Sequence, residues 1–164
     1  MLLLIVPFLM SILWIMYYTD YQPKSNIFMP WTEKTIPTLA LRAVPRYPEG
    51  LRLYIKTENF KISDLMTKKQ AKMAHGHMHL YINNKLHSMV IDDSVDISLQ
   101  DLDRKDNEIL VTLQAADHRF ITVGGQPIFQ RIWINAEGQE YQYQGEKTED
   151  GHLPEMIQRS INNY

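Results

Sequence analysis

The run Met73-Ala74-His75-Gly76-His77-Met78-His79-Leu80-Tyr81-Ile82 constrains the fold of this chain more than any other segment, because it sets a histidine on every second residue of an otherwise largely apolar stretch. In an extended strand successive side chains point to opposite faces. His75, His77 and His79 therefore share one face with Met73 and Tyr81, and Ala74, Gly76, Met78, Leu80 and Ile82 share the other. The spacing predicts a strand with one core face and one row of imidazoles. Neutral imidazole is the commonest metal ligand among side chains and thioether sulfur suits Cu(I), so chemistry is expected on this strand. The alternative is a solvated sheet face on which half-polar residues meet water.

Elsewhere the apolar residues keep the same period. Leu51, Leu53 and Ile55 alternate with Arg52, Tyr54 and Lys56, and Phe60 and Ile62 continue the series. Asn83-Asn84 is expected to turn the chain, since asparagine tolerates the positive φ of a two-residue hairpin, and a strand from Lys85 to Ile91 returns beside the histidines. Asp92 to Asp106 reads as a polar connection. Glu108 to Ala115 sets Ile109, Val111, Leu113 and Ala115 against Leu110, Thr112 and Gln114 and is the clearest buried strand. Phe120 to Val123 turns at Gly124-Gly125, and Ile128 to Ile134 with Glu140 to Gln144 form a last hairpin around Glu137-Gly138. About seven short strands with closely spaced turn signals predict an all-β fold, an immunoglobulin-like antiparallel β-sandwich, over residues 49–145.

Three segments flank this sandwich. Leu2 to Tyr18 has no charged side chain and ends in Trp14, Tyr17 and Tyr18, aromatics suited to a bilayer boundary, so residues 1–19 are expected to be a membrane anchor. A secretory signal is the competing assignment, because the span is short against the roughly 17 to 25 residues of a crossing helix. The segment lacks small exit residues and a cationic start, which favours an uncleaved N-terminal transmembrane helix. Residues 20–48 carry Pro23, Pro30, Pro37, Pro45 and Pro48 and read as an extended linker. In the tail, 146–164, Met156, Ile157 and Ile161 fall at helical spacing behind Pro154, predicting a short C-terminal helix.

Composition excludes several functions. A formal net charge of -2 without a dense Lys/Arg block removes the footprint of a nucleic-acid binder. The absence of cysteine removes disulfides, thiolate zinc sites, a Cys nucleophile and the blue-copper ligand set. No Gly-x-Ser-x-Gly elbow, phosphate loop, dinucleotide fingerprint or His-Glu-x-x-His helix occurs, so no catalytic residue is assigned and the chain is not expected to be an enzyme.

The metal reading is more specific. Alternate strand residues hold their Cα atoms about 6.5 to 7 Å apart, a gap that two imidazoles can close around one ion and three cannot easily close. The expected site takes His77 and His79, and completes itself with His118, at the end of the strongest strand, or with a methionine such as Met73. His75 is the remaining candidate. Asp117 stands next to His118 and is placed to orient an imidazole from behind. A copper ion is the first choice and zinc the second, because nitrogen-donor affinities peak at Cu²⁺ and methionines lie nearby. Hairpin register decides the roles of His87 and Met89. The two-residue turn is the expected register: it pairs Leu80 with His87 and Met78 with Met89, making Met89 core and setting His87 near a sheet edge, with neither expected to be a ligand; a one-residue slip would move both to the imidazole face.

Four blocks carry a resemblance: Tyr54-Ile55-Lys56-Thr57-Glu58-Asn59-Phe60, His75-Gly76-His77-Met78-His79-Leu80-Tyr81-Ile82-Asn83, Thr112-Leu113-Gln114-Ala115-Ala116-Asp117-His118 and Gly124-Gly125-Gln126-Pro127-Ile128. Together, over Leu51 to Ile128, the chain resembles a family of small exported bacterial β-sandwich domains with Thr-Glu-Asn-Phe, Gly-His-x-His-Leu-Tyr and Asp-His blocks. The resemblance implies export, hence a bacterial inner-membrane anchor with the domain facing the periplasm or cell exterior. It also implies that the family's recurrent histidines fall on His77, His79 and His118. The chain departs from the pattern at His87, where a small residue is usual, and at Asn84, where glycine is usual. Two functions follow as expectations: a membrane-anchored metal-handling or metal-delivery protein, or a non-catalytic interaction module or accessory subunit of a membrane protein complex.

Overall fold

Period-two segments become strands in the computed structural model, which describes residues 27–63, 75–103, 105–135, 139–141 and 154–162. In chain order these are β1 (Phe28–Pro30), β2 (Thr38–Arg46), β3 (Gly50–Glu58), β4 (Lys61–Ile62), β5 (His75–Ile82), β6 (Lys85–Val90), β7 (Ser94–Ser98), β8 (Asn107–Ala115), β9 (Phe120–Val123), β10 (Gln126–Pro127), β11 (Phe129–Ile134) and β12 (Glu140–Tyr141), followed by the helix α1 (Glu155–Asn162). Strands β2, β3 and β7 form a small antiparallel sheet. The other nine form a large sheet with β8 as its hub. Strand β5 runs along one side of β8 from Gly76 opposite Ala115 to Ile82 opposite Ile109, and β11 runs along the other. Strands β4 and β6 pair with β5, β9 with β8, β1 and β10 with β9, and β12 with β11.

Alternation explains the core between the two sheets. Leu51, Leu53, Ile55 and Ile97 of the small sheet meet Met78, Leu80, Ile109, Val111, Leu113 and Ile121 of the large one in a single buried cluster. Each such side chain contributes about 1.5–3 kcal/mol through burial. The opposite face of β8 is buried as well. There Leu110 packs with Tyr81, Phe120 and the α1 residues Met156 and Ile157, so the predicted helix covers part of the outer face. The imidazole row is thus bounded by apolar side chains rather than spread over an open sheet.

Several expectations change. The linker assigned to 20–48 contributes β1, parallel to β9, and the nine residues of β2. In β2, Leu39, Leu41 and Ala43 alternate toward the core. Its one proline, Pro45, is tolerated because β2 is an edge strand whose only strand partner is β3. The polar connection over Asp92 to Asp106 contains β7, in which Ile97 is 1% exposed. The sheets are antiparallel except at two pairings, β1 with β9 and β4 with β5.

The hairpin register also differs. Asn83 and Asn84 make the expected two-residue turn, with φ of 50° and 63°, and Ile82 pairs with Lys85 and Tyr81 with Leu86. An extra residue in β6 then shifts the ladder, so that Leu80 faces Ser88, His79 faces Met89 and Met78 faces Val90. The expected pairs Leu80 with His87 and Met78 with Met89 are not formed, and Met89 leaves the core. The physical reason is a β-bulge, which flips every side chain beyond it to the other face. No helix among the described residues is long and apolar enough to cross a membrane, and the expected anchor lies outside them.

Candidate metal centre

Strand alternation projects His77 and His79 from the outer face of β5, and Gly76 lets that strand close on β8. A Cβ at position 76 would stand 1.9 Å from the Gln114 carbonyl oxygen and 3.0 Å from the Phe60 ring. His118 arrives from the turn joining β8 to β9. Its N–H donates to the Ala115 carbonyl at 2.9 Å, and the Ala115 N–H donates to the Arg119 carbonyl at 2.8 Å. Within this tight loop His118 has φ 65°, a left-handed position that ordinarily favours glycine or asparagine. The strained turn brings the imidazole back over the sheet.

There three ring nitrogens converge. His77 Nε2 lies 3.0 Å from His79 Nε2 and 3.1 Å from His118 Nδ1, and His118 Nδ1 lies 3.2 Å from His79 Nε2. With bonds of about 2.0–2.1 Å, an ion bound to all three would sit ~1 Å off their plane with N–metal–N angles of about 100°, the geometry of three corners of a tetrahedron. Without an ion, a single imidazole N–H can satisfy only part of this triangle of lone pairs. The donor set fits a transition metal with one position left open.

A buried polar chain holds the rings. His79 Nδ1 is 3.3 Å from the Tyr81 hydroxyl, which is also hydrogen-bonded to Thr112. The Gln114 amide, turned so that its oxygen accepts from Thr112 Oγ1 at 3.0 Å, donates from its nitrogen to the carbonyls of His118 at 2.6 Å and Arg119 at 3.3 Å. The Tyr81 hydroxyl is within hydrogen-bond reach of His79 Nδ1. With the proton on Nδ1 and the hydroxyl oxygen accepting it, His79 Nε2 is left as a lone pair aimed at the cluster, the tautomer a metal requires. The chain runs from one ligand ring to the backbone of another.

Electrostatics favours the same state. Burial, followed by the neighbouring His118 charge, pushes His77 down from 6.5 to about 4. Burial, followed by His77 and His118, pushes His79 down to about 4. Burial pushes the Tyr81 phenol up to about 12 against the opposing Thr112 hydrogen bond, keeping it protonated. Both strand imidazoles are neutral at pH 7 and need shed no proton to bind a cation.

Among the expected residues, His77, His79 and His118 come together with their ligand atoms within 4.8 Å of one another. His77 is buried, His79 half-buried and His118 exposed. His75 shares their face at the start of β5 but stands outside this group, and Met73 lies outside the described residues. Asp117 does not orient His118; its carboxylate pairs with Arg119 at 2.8 Å. Sequence reasoning missed the supporting roles of Thr112 and Gln114. Their signal was two polar side chains on one face of the most buried strand, directly opposite His79 and His77. No protein-family model, curated protein or solved structure matches this chain.

Proposed function

We propose that this protein is a membrane-anchored, extracytoplasmic sandwich domain of immunoglobulin-like build that binds a transition-metal ion, copper before zinc, for handling or delivery rather than catalysis. The observation that carries this reading is the triangle of ring nitrogens at 3.0, 3.1 and 3.2 Å. Two of them sit on rings held neutral by burial, and one of those is oriented by Tyr81. The exposed third ligand suits an ion that must enter and leave. The apolar segment Leu2 to Tyr18 supports the anchor, and the resemblance over Leu51 to Ile128 supports the extracytoplasmic setting.

The test is direct titration of the full chain in detergent with Cu(II) and Zn(II). One equivalent is expected to bind with submicromolar affinity, and His77→Ala and His118→Ala are each expected to weaken it by about two orders of magnitude or more. Binding that is absent, or unchanged in both variants, removes the metal function. The second reading, an interaction module or accessory subunit, has its own observation: Leu86, Met89 and Ile91 are 59%, 44% and 41% exposed along the edge strand β6 and just beyond it. Stable co-purification with a membrane protein, lost when Leu86 and Ile91 become serine, supports that reading.

A further inference from the structure

We propose that Met89 is a fourth, thioether ligand of the three-histidine centre and that the centre is therefore suited to monovalent copper; the inference rests on the metal reading above. An unbroken register would set Met89 opposite Met78, on the core face. The extra residue in β6 prevents this. Beyond it Val90 turns into the core, 4% exposed, and Met89 emerges directly opposite His79, 44% exposed. Opposed residues of an antiparallel pair hold their Cβ atoms about 4.5–5.5 Å apart on the same side of the sheet.

Met89 thus flanks His79 from β6, while β8 and the turn carrying His118 lie on the other side of β5. Met89 is only partly shielded, and a thioether with three rotatable bonds on the strand position opposite His79 has a chemical use there. Bulges recur next to functional sites, where the shift they impose re-aims a side chain toward the site. Bound imidazoles and a thioether form a donor set without net charge. Such a set matches soft Cu(I), while Zn(II) draws on nitrogen, thiolate and carboxylate.

The experiment compares the native full chain with Met89→Leu in detergent, by anaerobic competition for Cu(I) against a chromophoric chelator and by parallel Zn(II) titration. Met89→Leu is expected to lower Cu(I) affinity about tenfold or more while leaving Zn(II) affinity within about twofold. X-ray absorption spectra of the Cu(I) form are expected to show copper–sulfur scattering that disappears in the variant. Leucine nearly conserves volume at an exposed edge, and an unchanged circular dichroism spectrum verifies the fold. Unaltered Cu(I) affinity in Met89→Leu, or sulfur scattering that survives in it, overturns the role of Met89 and leaves the histidine centre standing. Failure of the native chain to bind either ion overturns the centre itself.

Discussion

His118 pays for its place with backbone strain. A non-glycine residue in the left-handed region costs roughly 1 kcal/mol or more, and His118 sits there at φ 65° with its ring in the metal centre. Replacing it with glycine is expected to stabilise the metal-free fold by about 1 kcal/mol, read as a raised thermal midpoint, while metal binding is lost. A lowered midpoint would mean that the imidazole itself holds the turn. The two strand histidines make a second prediction. An unfolded chain takes up their protons near pH 6.5, whereas the folded one does so only near about 4. Between those values the unfolded state binds more protons, so stability is fully present above about 6.5 and is lost as pH falls toward 4. Equilibrium denaturation of the metal-free protein should show that slope, and the His77→Gln/His79→Gln double variant should flatten it.

Two strands must lie unusually close for the centre to form. Gly76 sits between two histidines, and a methyl group there would meet the Gln114 carbonyl oxygen at 1.9 Å, against backbone that cannot step aside. Gly76→Ala is expected to destabilise the protein by at least about 1–3 kcal/mol, the usual cost of overpacking, and to weaken metal binding in parallel, because separating β5 from β8 moves His77 and His79 away from Gln114 and the turn it holds. Chemical denaturation and metal titration of the same variant check both. A variant of native stability would show that the strands can part without strain. The hairpin of β5 and β6 works through another device: its asparagine turn sets the starting register, and its bulge decides which side chains beyond Ser88 meet solvent.

Across the whole molecule the sandwich begins earlier than a proline-rich stretch suggests. Strands β1 and β2 complete the two sheets, and Leu39 and Leu41 pack against the common core. Removing residues 1–26 is expected to release the protein from membranes with its metal affinity intact, as fractionation and titration would read. Removing residues 1–48 takes both strands away and is expected to abolish cooperative unfolding. Cooperative unfolding of the shorter chain would show that β1 and β2 are dispensable.

Local chemistry alone made much of this legible. Alternation marked β3, β5 and β8, helical spacing behind Pro154 marked α1, and the His-x-His pair together with a histidine at a strand exit named the three residues that converge. These are short-range properties: a strand must present alternate residues to one face, and a core must bury the apolar set. Only the tertiary structure decided the rest. One inserted residue in β6 reversed the role expected for Met89, and the left-handed turn swung His118 over the sheet. Edge placement let a proline-bearing stretch become β2, while Thr112 and Gln114 gained their function by lying opposite His79 and His77. Each of those outcomes depends on which residues meet across strands distant in the chain, and pairing across distance is set by the packing of the entire core rather than by the order of amino acids in any one segment.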